Sequence, residues 1–123
     1  MSKIVYSKNA PDALGPYSQA IISGGFVFTA GQLGINPATG ELASTIEEQT
    51  EQIMNNLNAV LSEAGTSFEK AVKTTCFLSD MNDFVAFNGV YGKYFTGKPA
   101  RSCFAVKQLP KNALVEVEVI AEV

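Results

Sequence analysis

The chain contains a single arginine, Arg101, and it stands two residues before a cysteine, Cys103. The run around them is typical of a β-strand, in which alternate side chains point to the same face. A guanidinium group binds a carboxylate through two parallel hydrogen bonds, which a lysine ammonium cannot do, and the other eight cationic side chains are lysines. This pair therefore suggests a site for a small carboxylate, although a solvated or ion-paired surface arginine is an equal alternative.

The last predicted strand, residues 114–123, alternates apolar residues with glutamates. Glu116, Glu118 and Glu122 share one face of that strand. We expect this strand to form a hairpin with residues 100–106, which would bring Glu116 or Glu118 within one strand spacing of Arg101. A carboxylate there could orient a water molecule. The alternative is that the three acids simply face solvent along a sheet edge.

The sequence contains no histidine, which removes the usual general base and the usual nitrogen ligand for metals. Cys103 could be a nucleophile with a pKa lowered by Arg101, but no base is available to activate it. A cysteine within a strand is more often a packed small apolar residue, so we expect Cys103 to form a wall. Cys76 and Cys103 lack the spacing of a zinc or redox pair, which suggests reduced thiols. No metal and no cofactor is expected.

The 123 residues fit one domain, residues 1–123, and 46% of them are apolar. The net charge of −3 argues against nucleic acid as a partner, because phosphate binding needs a basic excess. No run approaches the roughly 18 apolar residues of a membrane span, and the first residues lack the apolar core of a signal peptide. We therefore expect a cytoplasmic protein that neither crosses nor binds a membrane.

The apolar periodicity predicts six strands and two helices in the order β-β-β-α-β-α-β-β. Thr45 or Ser44 can cap the first helix and Gly65 can end it, while Asp80 caps the second. The predicted elements cover residues 4–7, 17–23, 26–30, 44–64, 70–78, 80–95, 100–106 and 114–123. Two helices cannot cover both faces of such a sheet, so we expect an α+β fold with both helices on one face. The other face should associate with further copies of the chain.

Several separated motifs resemble the RidA/YjgF family of reactive-intermediate deaminases over essentially the whole chain. The motifs are Ala10-Pro-x-x-x-Gly-Pro-Tyr-Ser-Gln19, Gly31-Gln32, Asn36-Pro-x-Thr-Gly40, Pro99-Ala-Arg-Ser-Cys103, Leu109-Pro-Lys111 and Glu116-Val-Glu118. The resemblance implies a chorismate-mutase-like α+β subunit, with a mixed sheet and two helices packed on one face. It also implies a homotrimer whose active sites lie in clefts between subunits.

The resemblance further implies hydrolysis of 2-imino acids, such as 2-iminopropanoate and 2-iminobutanoate, to 2-keto acids and ammonia. Water is the nucleophile, and neither metal nor cofactor is required. By position, Arg101 is similar to the family's carboxylate-binding arginine and Glu116 to the glutamate that holds or activates water. Tyr17 and Cys103 match pocket positions, while Glu118 is not assigned to the chemistry.

The resemblance also places Ala30 and Gly31 at the substrate. Many relatives carry serine where this chain has Ala30, so a hydroxyl contact is lost while a backbone contact can remain. The loop at residues 96–98 is shorter than in many relatives. Both departures bear on substrate preference.

Two other functions remain open. A non-catalytic regulatory module that binds small carboxylates would keep Arg101 without turnover, and an ammonia-release assay distinguishes it. An RNA-cleaving translation inhibitor is disfavoured by net acidity, a single arginine and the lack of histidine. Salt-dependent RNA binding would test that function.

Overall fold

Residues 2–123, described in a computed structural model, form six strands and two α-helices in the predicted order. They are β1 Lys3–Val5, β2 Ala20–Ser23, β3 Phe26–Thr29, α1 Ile46–Glu63, β4 Ala71–Leu78, α2 Phe84–Tyr94, β5 Ala100–Ala105 and β6 Val115–Glu122. The predicted strand 17–23 is shorter in the structure, because β2 begins only at Ala20 and Tyr17 lies in the preceding loop.

The predicted ends of α1 are confirmed. Thr45 is the N-cap: its Oγ1 accepts from the backbone N–H of Glu48 at 3.1 Å, and its own N–H donates to Glu48 Oε1 at 3.2 Å. This capping box satisfies two backbone donors that the helix itself leaves free. Beyond the helix, Gly65 adopts a φ of 84°, a left-handed conformation that glycine tolerates best.

The start of α2 differs from the prediction. The Asp80 side chain accepts a hydrogen bond from the N–H of Asn82 at 2.8 Å, as an N-cap does. However, the segment that it caps is a 3₁₀ turn, Met81–Asp83, and not the α-helix. The α-helix starts after that turn, at Phe84. Such turns commonly precede an α-helix because they satisfy its first donors with tighter hydrogen bonds.

The strands form one mixed sheet in the order β1-β2-β3-β6-β4-β5, in which only β4 and β5 are parallel. Gly24 and Gly25, with φ values of 60° and 84°, form the predicted hairpin turn between β2 and β3. The predicted hairpin between β5 and β6 is wrong. The helix between β4 and β5 returns the chain so that β5 runs parallel to β4, and β6 occupies the opposite edge of β4.

Both helices cover the same face of the sheet, which confirms the predicted α+β fold. The helix-facing residues of β6 are at most 1% exposed, as are the residues of α1 that pack against the sheet: Val115, Val117, Val119, Ala121, Ile53, Met54, Leu57 and Leu61.

The other face, which we call the open face, carries large apolar side chains that remain exposed. Phe28 is 43% exposed and Phe104 is 45% exposed, and Phe104 contacts Phe77 edge to face at 5.5 Å. Within residues 2–123 no helix is long and apolar enough to span a membrane.

Candidate functional site

A cleft of about 610 Å³ opens beside the N-terminal half of β6. It contains four of the residues that the sequence assigned to the site, namely Tyr17, Ala30, Gly31 and Glu116. Most of its remaining surface is apolar and comes from loops that contain prolines: Pro11, Leu14, Leu33, Ile35, Pro37 and Pro110. Four polar side chains also line it: Asp12, Gln19, Gln32 and Lys111. We call this region the Glu116 cleft.

The loop that carries Tyr17 is held by Gln19, a buried residue that ends the first of the sequence motifs but had no predicted role. The Gln19 Oε1 accepts from Ser7 N at 2.7 Å, and its Nε2 donates to the carbonyls of Ser7 at 3.1 Å and Pro11 at 2.8 Å. One side chain thus satisfies backbone groups of a segment that has no regular structure. Tyr17 itself is 54% exposed, and its hydroxyl accepts from Leu14 N at 3.3 Å.

Gly31 lies directly against the Glu116 side chain. The adjacent Gln32 pairs with Val117 through two backbone hydrogen bonds of 2.8 and 3.2 Å, which brings this loop alongside β6. A Cβ atom on Gly31 would overlap Glu116 Oε1 and lie 2.8 Å from its Cδ. Only glycine therefore fits at this position while the Glu116 carboxylate stays where it is.

The Glu116 carboxyl group is half-buried, and its pKa is raised. Burial is the larger cause, because it disfavours the charged form, and the neighbouring charge of Glu118 adds to it. A carboxylate with a raised pKa is a better proton acceptor than one in water. Glu116 is thus suited to accept a proton from a water molecule in the cleft.

Arg101 lies on the helix-covered face of β5, where it packs against α2. Its Nη1 donates to Asn88 Oδ1 at 2.7 Å. Its guanidinium carbon lies 4.8 Å from the centre of the Tyr91 ring and 5.4 Å from that of Phe84. Within residues 2–123 the one ion pair joins Lys93 and Glu51, so Arg101 has no carboxylate partner there. The structure thus disfavours the ion-paired alternative.

Cys103 shares the face of Arg101, as predicted, and lies beside Cys76 of the parallel strand β4. Burial raises the pKa of the Cys103 thiol, and Arg101 and the hydrogen bond to Cys76 offset only part of that effect. Burial also raises the pKa of Cys76, to about 12. Neutral thiols are poor nucleophiles, so this environment favours a wall over a nucleophile.

One copy of the chain does not bring all the predicted site residues together. Arg101 and Cys103 pair with Thr74 and Cys76 on the helix-covered face, whereas Glu116 pairs with Phe77 on the open face. Since β4 separates β5 from β6, the two strands are also about 10 Å apart. The sequence placed these groups one strand spacing apart on the basis of the hairpin, and that placement is wrong. We call the region around Arg101 and Cys103 the Arg101 half-site.

Titratable and sulfur side chains do not gather into a metal site in the described part of the chain. Residues 2–123 hold no group of three or more His, Cys, Asp or Glu side chains arranged to bind an ion. The Glu116 cleft offers the carboxyl groups of Glu116 and Asp12, the amino group of Lys111, the phenol of Tyr17 and backbone groups. The region around Arg101 offers its guanidinium and two thiols.

Comparison with solved structures identifies the class of fold. A Rid family protein from Yersinia pestis superposes with a TM-score of 0.97 and 49% identity over 100% of both chains. The E. coli protein TdcF, solved with bound serine, superposes with a TM-score of 0.94 and 38% identity over 98% of both chains. The protein thus has the L-PSP/YjgF type of α+β fold.

The family model described as Endoribonuclease L-PSP matches residues 7–123. The chain belongs to this family, the RidA/YjgF family, as its motifs suggested. A relative from Arabidopsis thaliana, named Reactive Intermediate Deaminase A, chloroplastic, is 46% identical over 97% of this chain and 65% of its own length.

Proposed function

We propose that the protein hydrolyses 2-imino acids, with 2-iminopropanoate and 2-iminobutanoate as substrates, to 2-keto acids and ammonia. The observation that carries this proposal is the guanidinium of Arg101, which forms no ion pair within residues 2–123 and is the group needed to hold the substrate carboxylate. The family includes a relative named as a reactive-intermediate deaminase, which supports the reaction class.

The proposed site is built from two copies of the chain. Arg101 and Glu116 lie on opposite faces of one sheet, so a substrate that touches both must lie between subunits. We propose a homotrimer in which the Arg101 half-site of one copy faces the Glu116 cleft of the next. The exposed apolar side chains of the open face, including Phe28 and Phe104, support association through that face. A monomer in sedimentation equilibrium at micromolar concentration would contradict this arrangement.

In the proposed reaction, Arg101 binds the carboxylate next to the imine carbon. That carbon is electrophilic once the imine nitrogen is protonated, so no metal is needed to activate it. Glu116 accepts a proton from water as the water oxygen bonds to carbon, and that proton then reaches the nitrogen. The carbon–nitrogen bond then breaks and ammonia leaves, while the new hydroxyl group gives its proton to Glu116 and becomes the carbonyl of the 2-keto acid.

The remaining predicted residues shape the pocket in this proposal. Tyr17 and Cys103 form walls on the two sides, and the backbone at Ala30 and Gly31 contacts the substrate. The methyl group of Ala30 offers no hydroxyl to the substrate. A small apolar substrate side chain is therefore suited to this part of the cleft.

The test is ammonia release from freshly generated 2-iminopropanoate and 2-iminobutanoate by the wild-type protein and by Glu116→Gln. Glutamine keeps the shape of the side chain but cannot accept the proton, so we expect kcat to fall by about 10²–10⁴. Affinity for a 2-keto acid should change little. Glu118→Gln is the matched control, because Glu118 lies on the same face and two residues further along β6. If Glu118→Gln is the inactive variant, the assignment of Glu116 is wrong.

A non-catalytic module that binds small carboxylates is the second candidate, and the bound serine in TdcF favours it. Such a module would bind 2-keto acids or serine through Arg101 without releasing ammonia from either imino acid. Cleavage of RNA has less support, because the chain has a net charge of −3 and one arginine. Strong binding to RNA that weakens steeply with salt would reverse that view.

A further inference from the structure

Asn88 is the hydrogen-bond acceptor that holds Arg101. It lies on α2 between Phe84 and Tyr91, at the i, i+4 and i+7 positions that form one stripe of a helix. Arg101 contacts all three members of this stripe, through one hydrogen bond of 2.7 Å and two aromatic rings. The guanidinium is thus fixed from α2 rather than from its own strand.

The Tyr91 ring is itself fixed, so the support under Arg101 is rigid. The Tyr91 hydroxyl shares a buried hydrogen bond of 2.7 Å with Thr74 Oγ1 on β4. The same ring stacks on Phe95 with centroids 4.6 Å apart. A guanidinium held by a rigid ring and a hydrogen bond loses little freedom when a ligand binds.

The chemical nature of the acceptor has a consequence for the charge of the half-site. Asparagine accepts the hydrogen bond without contributing negative charge, so the guanidinium keeps its full positive charge. An aspartate of the same shape would accept the same hydrogen bond and neutralise that charge. Of the five N–H donors of Arg101, one donates to Asn88, and the others have no hydrogen-bond acceptor within residues 2–123, which leaves them for a ligand.

We propose that Asn88 is a positioning residue that orients Arg101 and keeps its charge unneutralised, so that the half-site selects carboxylates over neutral analogues. This inference rests on the proposed role of Arg101 in binding the substrate carboxylate. It adds Asn88 to the residues that determine the specificity of that site, and it does not require Asn88 to touch the substrate.

The experiment is an NMR titration of the full-length protein with pyruvate and with its neutral amide, pyruvamide. We expect Asn88→Ala to weaken pyruvate binding about tenfold, since one hydrogen bond that orients Arg101 is lost. Asn88→Asp should weaken it about 100-fold, because the new carboxylate competes with the ligand for the guanidinium. Asn88→Gln, which keeps a neutral amide, should remain within about threefold of wild type. Pyruvamide affinity should change less than about threefold in Asn88→Asp.

Asn58→Asp is the matched control, because it makes the same change in charge at an exposed position on α1. It should bind pyruvate as the wild type does. A purely structural role for Asn88 predicts the reverse order, since aspartate preserves the hydrogen bond that alanine removes. The inference is overturned if Asn88→Asp binds pyruvate at least as tightly as Asn88→Ala does. It is overturned as well if Asn88→Asp lowers the affinities for pyruvate and pyruvamide by the same factor. It is also overturned if the wild-type protein does not bind pyruvate.

The titration separates this inference from the proposed hydrolysis. If wild type binds pyruvate with the expected order of variants but releases no ammonia from imino acids, hydrolysis fails and the role of Asn88 stands. If ammonia is released but no Asn88 variant changes pyruvate affinity, the role of Asn88 fails and hydrolysis stands.

Discussion

Replacing Gly31 with alanine should reduce activity by displacing Glu116 while leaving the fold intact. The backbone of Gly31 lies outside the left-handed region, so alanine can adopt its conformation. The new methyl group, however, would overlap the Glu116 carboxylate oxygen and lie 2.8 Å from Cδ and 2.9 Å from Cγ. The Glu116 side chain must therefore change rotamer or move.

The size of the effect follows from these distances. Two carbon atoms pack at about 3.5 Å or more, so the Glu116 Cδ, 2.8 Å from the new methyl, must move by at least about 0.7 Å. A displacement of about 1 Å in a reacting group can reduce the rate about 10²-fold. The free energy of unfolding should fall by less than about 1 kcal/mol, because the carboxylate is the free end of a flexible side chain.

The assay combines kcat/KM for 2-iminopropanoate with thermal denaturation of each variant. Two other glycines provide matched controls. At Gly34 the new methyl would lie 2.6 Å from the backbone of Gln49, which cannot move aside, so Gly34→Ala should lose stability. At Gly89 nothing lies within 4 Å, so Gly89→Ala should leave activity unchanged and stabilise α2 by about 0.5–1 kcal/mol. Full activity in a folded Gly31→Ala protein would refute the placement of Glu116 in the chemistry.

Three further outcomes follow from the same geometry. Arg101→Lys should keep the fold, but its kcat/KM should fall at least about 10²-fold, because one point charge replaces a pair of charge-assisted hydrogen bonds. Activity within about twofold of wild type would show that Arg101 does not belong to the site. Cys103→Ala should retain most activity, and a trapped covalent adduct on Cys103 by mass spectrometry would reverse its assignment as a wall. The pKa of Glu116 is raised in the folded state, so the native protein binds a proton at this carboxylate more tightly than the unfolded chain does. The free energy of unfolding therefore falls as pH rises from the pKa of the unfolded chain through that of the folded protein. Glu116→Gln should therefore melt at a higher temperature than wild type at pH 7, and the difference should disappear at pH values below the pKa of a glutamate in the unfolded chain.

The amino-acid sequence by itself determined the features that depend on neighbouring residues. The capping box of Thr45 and Glu48 lies within four residues, and the turn at Gly24-Gly25 needs only two. The alternation of valine and glutamate in β6 likewise determined which residues face the helices and which face the open side. These signals are local, because capping, turn conformation and the two-residue period of a strand act over a few residues.

The tertiary structure alone decided which of these elements are neighbours. The sequence predicted β5 and β6 as a hairpin because they follow one another, but α2 makes β5 parallel to β4 and β6 pairs with β3 and β4. That order places Arg101 and Glu116 on opposite faces, although each had been singled out from the sequence. The hydrogen bonds of Asn88 to Arg101 and of Gln19 to the loop at Ser7 likewise span 12 or 13 residues and leave no periodic signal. Strand order and side-chain partnership depend on long-range pairing and on the packing of both helices against one face, which no local pattern of residues specifies.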